Sequence, residues 1–460
     1  MHSTSTSTTF YAIFIGYLYL TLARRGFAVV STTLLADESL GLTKVDVGVV
    51  VSVYTVCAGC GKFIGGVLSD AVAPRSIFIG GLLAAALSNA AVSLVDTPLF
   101  TVLFSGALRP ATAIMIAWGV NGASQGFAWP AIAQLMLRRF SAANRGAVWG
   151  LITMAGNAAK VAAPILYTRI AMERGWRDVF RLSAVLALLG AALCWAFLAP
   201  AQAQGRGGAT LIKPSDRASS APKRALCVIA RRPSLWAILV ADVFVYVVLE
   251  ALSSWIIPMT IAQHAVSKAS GAALLSCYEL GGVVGTLAAG YISDALGGVG
   301  KRNLTSWYGS LALVGALATL RALPVAADGE GARLGALGAA LFVAGLGVYA
   351  PKTMAGIAVR EAHPSAAGSA GALLGLVGQF GAALAGVPLV LAVKVQEGRG
   401  VGEWNAVFGA LLFAAVAGAL LFGGLHLAES ARRADAVRAD VAAPVAAEEE
   451  AADRRKKKKL

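Results

Sequence analysis

Twelve apolar runs of about twenty residues follow one another along this chain, and the medium they imply constrains the fold more than anything else in it. About twenty apolar residues is the length that carries a helix through the hydrocarbon core of a bilayer. In that medium each backbone N–H and C=O must be satisfied within the protein, which for runs of this length means α-helix. The runs lie at about 9–30, 46–68, 76–95, 112–137, 144–168, 178–199, 234–260, 269–293, 303–323, 333–359, 365–394 and 403–427. With 57% hydrophobic and 14% charged residues and a mean hydropathy of +0.71, the chain has too little polar surface to be several soluble domains. The expected fold class is an all-α membrane protein of twelve transmembrane helices. Abundant glycine suits helices that pack closely and slide against each other in lipid.

A formal charge of +15 raises nucleic acid as a partner. The basic residues, however, sit in short connections and in the terminal run Arg454 to Lys459, the pattern of the positive-inside rule. Arg75, the group Arg138, Arg139 and Arg145, the segment between the sixth and seventh runs, Lys301-Arg302 and the tail all fall on one side if the N terminus is cytosolic. The mixed-charge connection Glu173 to Arg181 and the lone Arg109 fall on the other. The polar stretch 201–232 reads as a cytosolic linker between an N-terminal bundle, 1–200, and a C-terminal bundle, 233–428, followed by a charged cytosolic tail, 429–460. The halves share motifs. Gly66-Val-Leu-Ser-Asp70 closes the second run and Gly290-Tyr-Ile-Ser-Asp294 the eighth, while Gly126-Phe-Ala-Trp-Pro130 in the fourth resembles Gly347-Val-Tyr-Ala-Pro351 in the tenth. Two pseudo-symmetric six-helix bundles are therefore expected, the layout of an internally duplicated transporter.

The chemistry lies in the polar groups that interrupt the runs. Arg24 and Arg25 stand inside the first one, where a charge costs at least a few kcal/mol unless it faces water or an anion. Two readings are open: the guanidiniums snorkel to an interface, or Arg24 forks onto an anionic, phosphorylated substrate in a transport cavity. The same choice, snorkelling stem or cavity cation, applies to Lys62, Lys160 and Lys352. Glu250 and Glu279 are intramembrane carboxylates, able to pair with a cavity cation, to post a hydrogen bond between helices or, for Glu250, to carry a proton. Gln125, Asn157 and Gln379 are neutral and serve either substrate hydroxyls or helix packing. Trp129 and Tyr349 read as packing. Asp70 with Arg75, and Asp294 with Lys301 or Arg302, are expected to form the cytosolic latches of the two halves and to bias the conformational equilibrium without touching substrate.

Five cysteines in or beside apolar segments make no disulfide framework, and Cys57 and Cys60 read as packing residues rather than a redox pair. Four scattered histidines give no metal cluster or triad, and no nucleophile or phosphate loop is present, so neither an enzyme nor a cofactor is expected. The Ser/Thr-rich start lacks the pattern of a removable signal.

In Arg24-Arg25, in Gly61-Lys62-Phe63 running to Asp70 with Pro74-Arg75, in Asn121 to Pro130 and in Tyr278-Glu279 to Asp294, the sequence resembles the organophosphate:phosphate antiporters of the major facilitator superfamily. The branch of the glucose 6-phosphate translocases is the most similar, and the resemblance runs from about residue 9 to 427. It implies a secondary transporter that exchanges a sugar phosphate, glucose 6-phosphate first, for inorganic phosphate by alternating access. The protein would act in the lipid bilayer as a monomer, without nucleic acid. Arg24 matches the phosphate-gripping arginine of that family, Arg25 its basic neighbour, Lys62 a lysine of the second helix and Glu279 a glutamate of the eighth. Two positions depart from it. Leu249, six residues before Trp255, stands where bacterial members carry a second arginine, and Gly156 stands in place of a histidine. Lys352 is expected to compensate in part for the missing arginine. A transporter of another organic anion, proton-coupled through Glu250, and a transport-dead organophosphate sensor remain as alternatives. The ending Lys457-Lys458-Lys459-Leu460 resembles a dilysine signal for the endoplasmic reticulum, the membrane in which the translocases reside; a basic tail held at anionic headgroups is the other reading.

Overall fold

The structure, a computed structural model, describes residues 6–104, 108–140, 145–198, 233–298, 300–323, 330–362, 367–397 and 404–457, which are helices and short connections with no strand among them. The expected linker, 201–232, lies outside the described residues. The spanning helices are α1 (Thr6–Leu35), α2 (Lys44–Ala71), α3 (Pro74–Leu94), α4 (Pro110–Arg139), α5 (Arg145–Arg174), α6 (Trp176–Phe197), α7 (Pro233–His264), α8 (Lys268–Ala295), α9 (Arg302–Ala322), α10 (Glu330–Ala362), α11 and α12 (Asn405–Lys457).

Two of these differ from the sequence reading. The eleventh span is broken into Ala367–Leu384 and Val387–Glu397. Pro388 has no N–H, and its ring clashes with the carbonyl four residues back, that of Leu384, where the first segment ends. The freed backbone groups are taken up by neighbours: Ser52 Oγ donates to the Ala383 carbonyl at 2.8 Å and accepts from the Val387 N–H at 3.0 Å, and Trp255 Nε1 donates to the Ala385 carbonyl at 2.8 Å. The last helix does not stop with its apolar run but continues to Lys457, through a tail rich in Ala, Glu and Arg, all strong helix formers. Among the described residues nine helices are long and apolar enough to span a membrane on composition alone. The other three, α4, α5 and α9, carry more polar residues and pack against α2 and α3, α1 and α8, and α10 and α12 respectively.

The internal duplication reappears in the packing. Thr43 caps α2 by accepting from the Asp46 N–H, and Ser267 caps α8 in the same way from Ser270. In each half the second helix packs on the fourth, α2 on α4 and α8 on α10. Glycine makes both contacts possible: a Cβ at Gly122 would collide with the Tyr54 carbonyl, and one at Gly281 with that of Phe342.

The halves meet along two seams, α2 with α11 and α5 with α8. At the end of the bundle away from the basic connections one apolar core runs through both halves, taking in Phe27, Val30 and Val51 from the first and Trp255, Leu389 and Val390 from the second. At the basic end the N-terminal half has its own core, around Phe78, Leu82, Ile132 and Met136, while in the C-terminal half the large core runs on to Leu235, Val359 and Phe422, beside a small separate cluster around Met354. The molecule is closed at the far end and divided at the basic end.

Candidate substrate-binding site

Between the halves, at mid-depth, lies a cavity of about 140 Å³. Arg24 and Arg25 project into it from α1, Lys62 from α2, Lys160 from α5, Glu250 from α7 and Lys352 from α10, with Gln379 from α11. Tyr54, Tyr246, Tyr349 and Trp118 supply aromatic walls, and Ser253 and Ser254 add hydroxyls. Five cations are thus brought from four helices to one volume, the arrangement left open by the sequence. The three lysines do not reach out to an interface.

Adjacent residues on a helix are turned by about 100° from each other, so the paired arginines have separate surroundings. Arg25 turns to the C-terminal half and forms an ion pair with Glu279 of α8. Glu279 is 2% exposed and also accepts from the Tyr349 hydroxyl at 2.8 Å and from Ser253 Oγ at 3.2 Å. Tyr349 accepts in turn from Lys160 Nζ at 3.4 Å. This network joins α1, α5, α7, α8 and α10, and it neutralises Arg25 within the protein. Arg24 has no carboxylate partner among the described residues. It bonds the Tyr54 side chain and faces Tyr17 and Tyr349, while its Nε is buried with no acceptor.

The two mid-cavity lysines lie on aromatic faces. Lys352 Nζ stands 4.9 Å from the centre of the Tyr349 ring and 5.4 Å from that of Tyr246, and Lys160 Nζ stands 5.0 Å from Tyr349. Such contacts stabilise an ammonium modestly and leave its N–H groups available. Tyr349, read from sequence as packing, is in fact the centre of the site. Trp129 does pack, 5.3 Å from Tyr17.

Several expected residues stand elsewhere. Gln125 donates to the Leu20 carbonyl at 2.8 Å, which ties α4 to α1 instead of facing the cavity. Asn157 is half-buried on α5 and is not among the residues lining the cavity. Glu250 accepts from Ser254 one turn on, at 3.1 Å. Leu249, six residues before Trp255, lines the cavity as an apolar wall and is 7% exposed. At the basic end Asp294 pairs with Arg302 at 2.5 Å, and Arg302 reaches on to Glu361 at 3.0 Å, a latch contained within the C-terminal half. Arg75 donates to the Trp195 carbonyl at 2.5 Å, closing the end of α6; the side chain of Asp70 lies outside the described residues.

One charged residue of the site was not singled out from the sequence. Asp242, on α7 two turns before Glu250, is 1% exposed and faces Lys62 and Lys352. The signal was present, a lone carboxylate in a strongly apolar run, but the more central Glu250 drew the reading.

The model of the Major Facilitator Superfamily matches residues 13–386. A "Probable hexose phosphate transport protein" of Chlamydia muridarum is 31% identical over 435 residues, covering 90% of this chain and 89% of that one. The "Membrane sensor protein UhpC" of Salmonella typhimurium is 29% identical over 422 residues, covering 89% of each. A "Glycerol-3-phosphate transporter" of Bacillus subtilis is 27% identical over 297 residues, covering 62% of this chain and 64% of that one. Among solved structures, a bacterial homologue of the human lysosomal transporter Spinster, inward-facing and occupied, superimposes with a TM-score of 0.69 over 94% of this chain and 98% of that one, at 15% identity, a likeness of fold.

Proposed function

The chain belongs to the organophosphate:phosphate antiporter family of the major facilitator superfamily, and from that premise we propose that it exchanges a sugar phosphate, glucose 6-phosphate first, for inorganic phosphate by alternating access. Arg24 carries the reading: a half-buried guanidinium that bonds Tyr54, has no carboxylate partner among the described residues and faces a cavity between the halves. A phosphate monoester brings about −1.5 to −2 charge and three strong acceptors, which a guanidinium meets with two parallel hydrogen bonds. Lys62, Lys160 and Lys352 surround the same volume and supply the remaining positive charge, so that Lys352 stands in for the arginine replaced by Leu249. Gln379, Ser253 and Ser254 offer neutral donors to sugar hydroxyls.

The proposed cycle follows from the packing. In this state the far end is closed, and the substrate enters from the basic end, the cytosolic one by the distribution of Lys and Arg. Anion binding draws the lysines of both halves together and lets the basic end close, while the far seam, held by Ser52 and Trp255, opens. An empty carrier keeps its cations mutually repelling across the divided end and reorients slowly, and that asymmetry is what makes transport an exchange. The carrier acts as a monomer, and the dilysine ending directs it to the endoplasmic reticulum; a bulky tag fused after Leu460 should release it onward.

The test is uptake of labelled phosphate into proteoliposomes. Uptake that requires internal phosphate or glucose 6-phosphate supports the exchange. Equal uptake into empty vesicles that follows a pH gradient would establish a proton-coupled carrier instead. The likeness to sensor proteins supports a second reading, binding without transport, which predicts saturable phosphate binding and no uptake in either setting.

A further inference from the structure

Asp242 is a carboxylate without a partner. Neither of its oxygens has a hydrogen-bond donor among the described residues, although the side chain is 1% exposed. It sits on α7 against Gly378 of α11, where a Cβ would come within 2.9 Å of Oδ2. The charged and titratable groups around it come from three helices. Lys62 faces it from α2 and Lys352 from α10, while Tyr246 and Glu250 share its own helix and Arg360 of α10 faces Tyr246 from beyond. Gly378, the α11 residue against it, brings no charge. Lys352 places its ammonium over the rings of Tyr246 and Tyr349 and not on the carboxylate. A buried carboxylate with no donor does not persist as an anion: either an ammonium comes to it or a proton does.

We propose that Asp242 is a proton-binding site of the carrier, occupied in the state divided at the basic end and emptied when closure of that end carries Lys62 onto the carboxylate. This inference rests on the exchange cycle proposed above. Lys62 belongs to the N-terminal half and Asp242 to the C-terminal half, so the approach of the halves at the basic end is the motion that shortens their separation. The proton passes from the carboxyl oxygen to cavity water, and the vacated charge is met by Lys62. Proton occupancy also sets the charge offered to substrate. Arg24, Arg25, Lys62, Lys160 and Lys352 face Glu250, Glu279 and Asp242, an excess of two positive charges with Asp242 ionised and of three with it neutral. The neutral form is therefore the one that loads a phosphate dianion while the basic end is divided, and the proton leaves when that end closes.

Infrared spectroscopy of the purified carrier, without anion, reads the proton directly. A neutral-carboxyl band at neutral pH that disappears in Asp242→Asn is expected; a spectrum in which Asp242→Asn removes only carboxylate signal overturns the proposal. Equilibrium binding of inorganic phosphate gives the linkage. Phosphate's own titration is common to wild type and Asp242→Asn, so their difference isolates the side chain. In carrier held divided at the basic end by a cysteine cross-link across the far seam, wild-type affinity should fall with rising pH relative to the variant, by up to about tenfold per pH unit, the limit for one linked proton; coincident profiles overturn the proposal. Should Asp242→Asn not fold, Lys62→Gln decides the matter, since removal of the approaching ammonium should carry the neutral-carboxyl band to higher pH, and an unchanged band would count against it. A band that behaves as expected in a carrier showing no exchange leaves the proton site standing and removes the exchange reading.

Discussion

Glu279→Gln removes one charge from the network that ties the two halves and leaves its shape in place. The glutamine oxygen can still accept from Tyr349, which now donates at 2.8 Å, so the change falls mainly on Arg25. The pair is buried, with the side chains 12% and 1% exposed. Stranding one partner of a buried ion pair costs about 3–5 kcal/mol, because the remaining charge keeps its desolvation penalty and loses its compensation. Since 1.4 kcal/mol is a factor of ten, the single variant should lose more than a hundredfold in its folding equilibrium. The double variant Arg25→Gln/Glu279→Gln strands no charge and should recover most of the loss, giving a coupling energy of about 2–4 kcal/mol. The assay is denaturant unfolding of wild type, both singles and the double in one mixed-micelle system. Additivity within about 0.5 kcal/mol, the spread found for independent sites, would refute the claim that Arg25 is neutralised internally while Arg24 is not.

Two further outcomes follow from groups away from the cavity. Ser52→Ala strands the Ala383 carbonyl and the Val387 N–H at the broken helix, a cost of about 1–3 kcal/mol borne by the state closed at the far end. Cysteine pairs or spin labels across that seam should report a shift toward opening, and an unchanged distance distribution would speak against Ser52 as a clasp. At the turn between α1 and α2, hydrogen bonds from Ser39 and then from Trp176, with Arg177 nearby, hold the Asp37 carboxyl below its usual range. Its contribution to stability is then present above the ordinary carboxylate pKa and is lost as pH falls through the depressed value. Asp37→Asn should accordingly flatten the acid limb of the stability profile and leave no new step near neutral pH.

How far the sequence could be read depends on which medium each residue answers to. The apolar runs had one solution in a bilayer, so the helices were legible, and the paired motifs disclosed two related halves, although not the α2/α4 and α8/α10 contacts those motifs make. Charges inside those runs were legible for the same reason: Arg24, Lys62, Lys160 and Lys352 could be there only at a price in free energy, and they converge on one volume. Neutral groups carry no such penalty. Gln125 and Asn157 looked as suitable as Gln379, and only packing decides which face of a helix meets the cavity. Tyr54, Tyr246 and Tyr349 were invisible as site residues, because an aromatic ring fits a packed core and a cation's platform equally well. The break in the eleventh span depended on Ser52 and Trp255, residues far away in sequence that take up its backbone groups.

The measurement that bears most directly on the function is phosphate exchange by Arg24→Lys beside wild type, in vesicles loaded with phosphate and with verified folding. Lysine keeps the charge and gives up the planar fork, so exchange should persist in wild type and fall by at least tenfold in the variant, with weaker inhibition by external glucose 6-phosphate. Wild-type exchange matched by Arg24→Lys, and by Arg24→Ala as well, would contradict the account of Arg24 as the group that grips the phosphoryl oxygens.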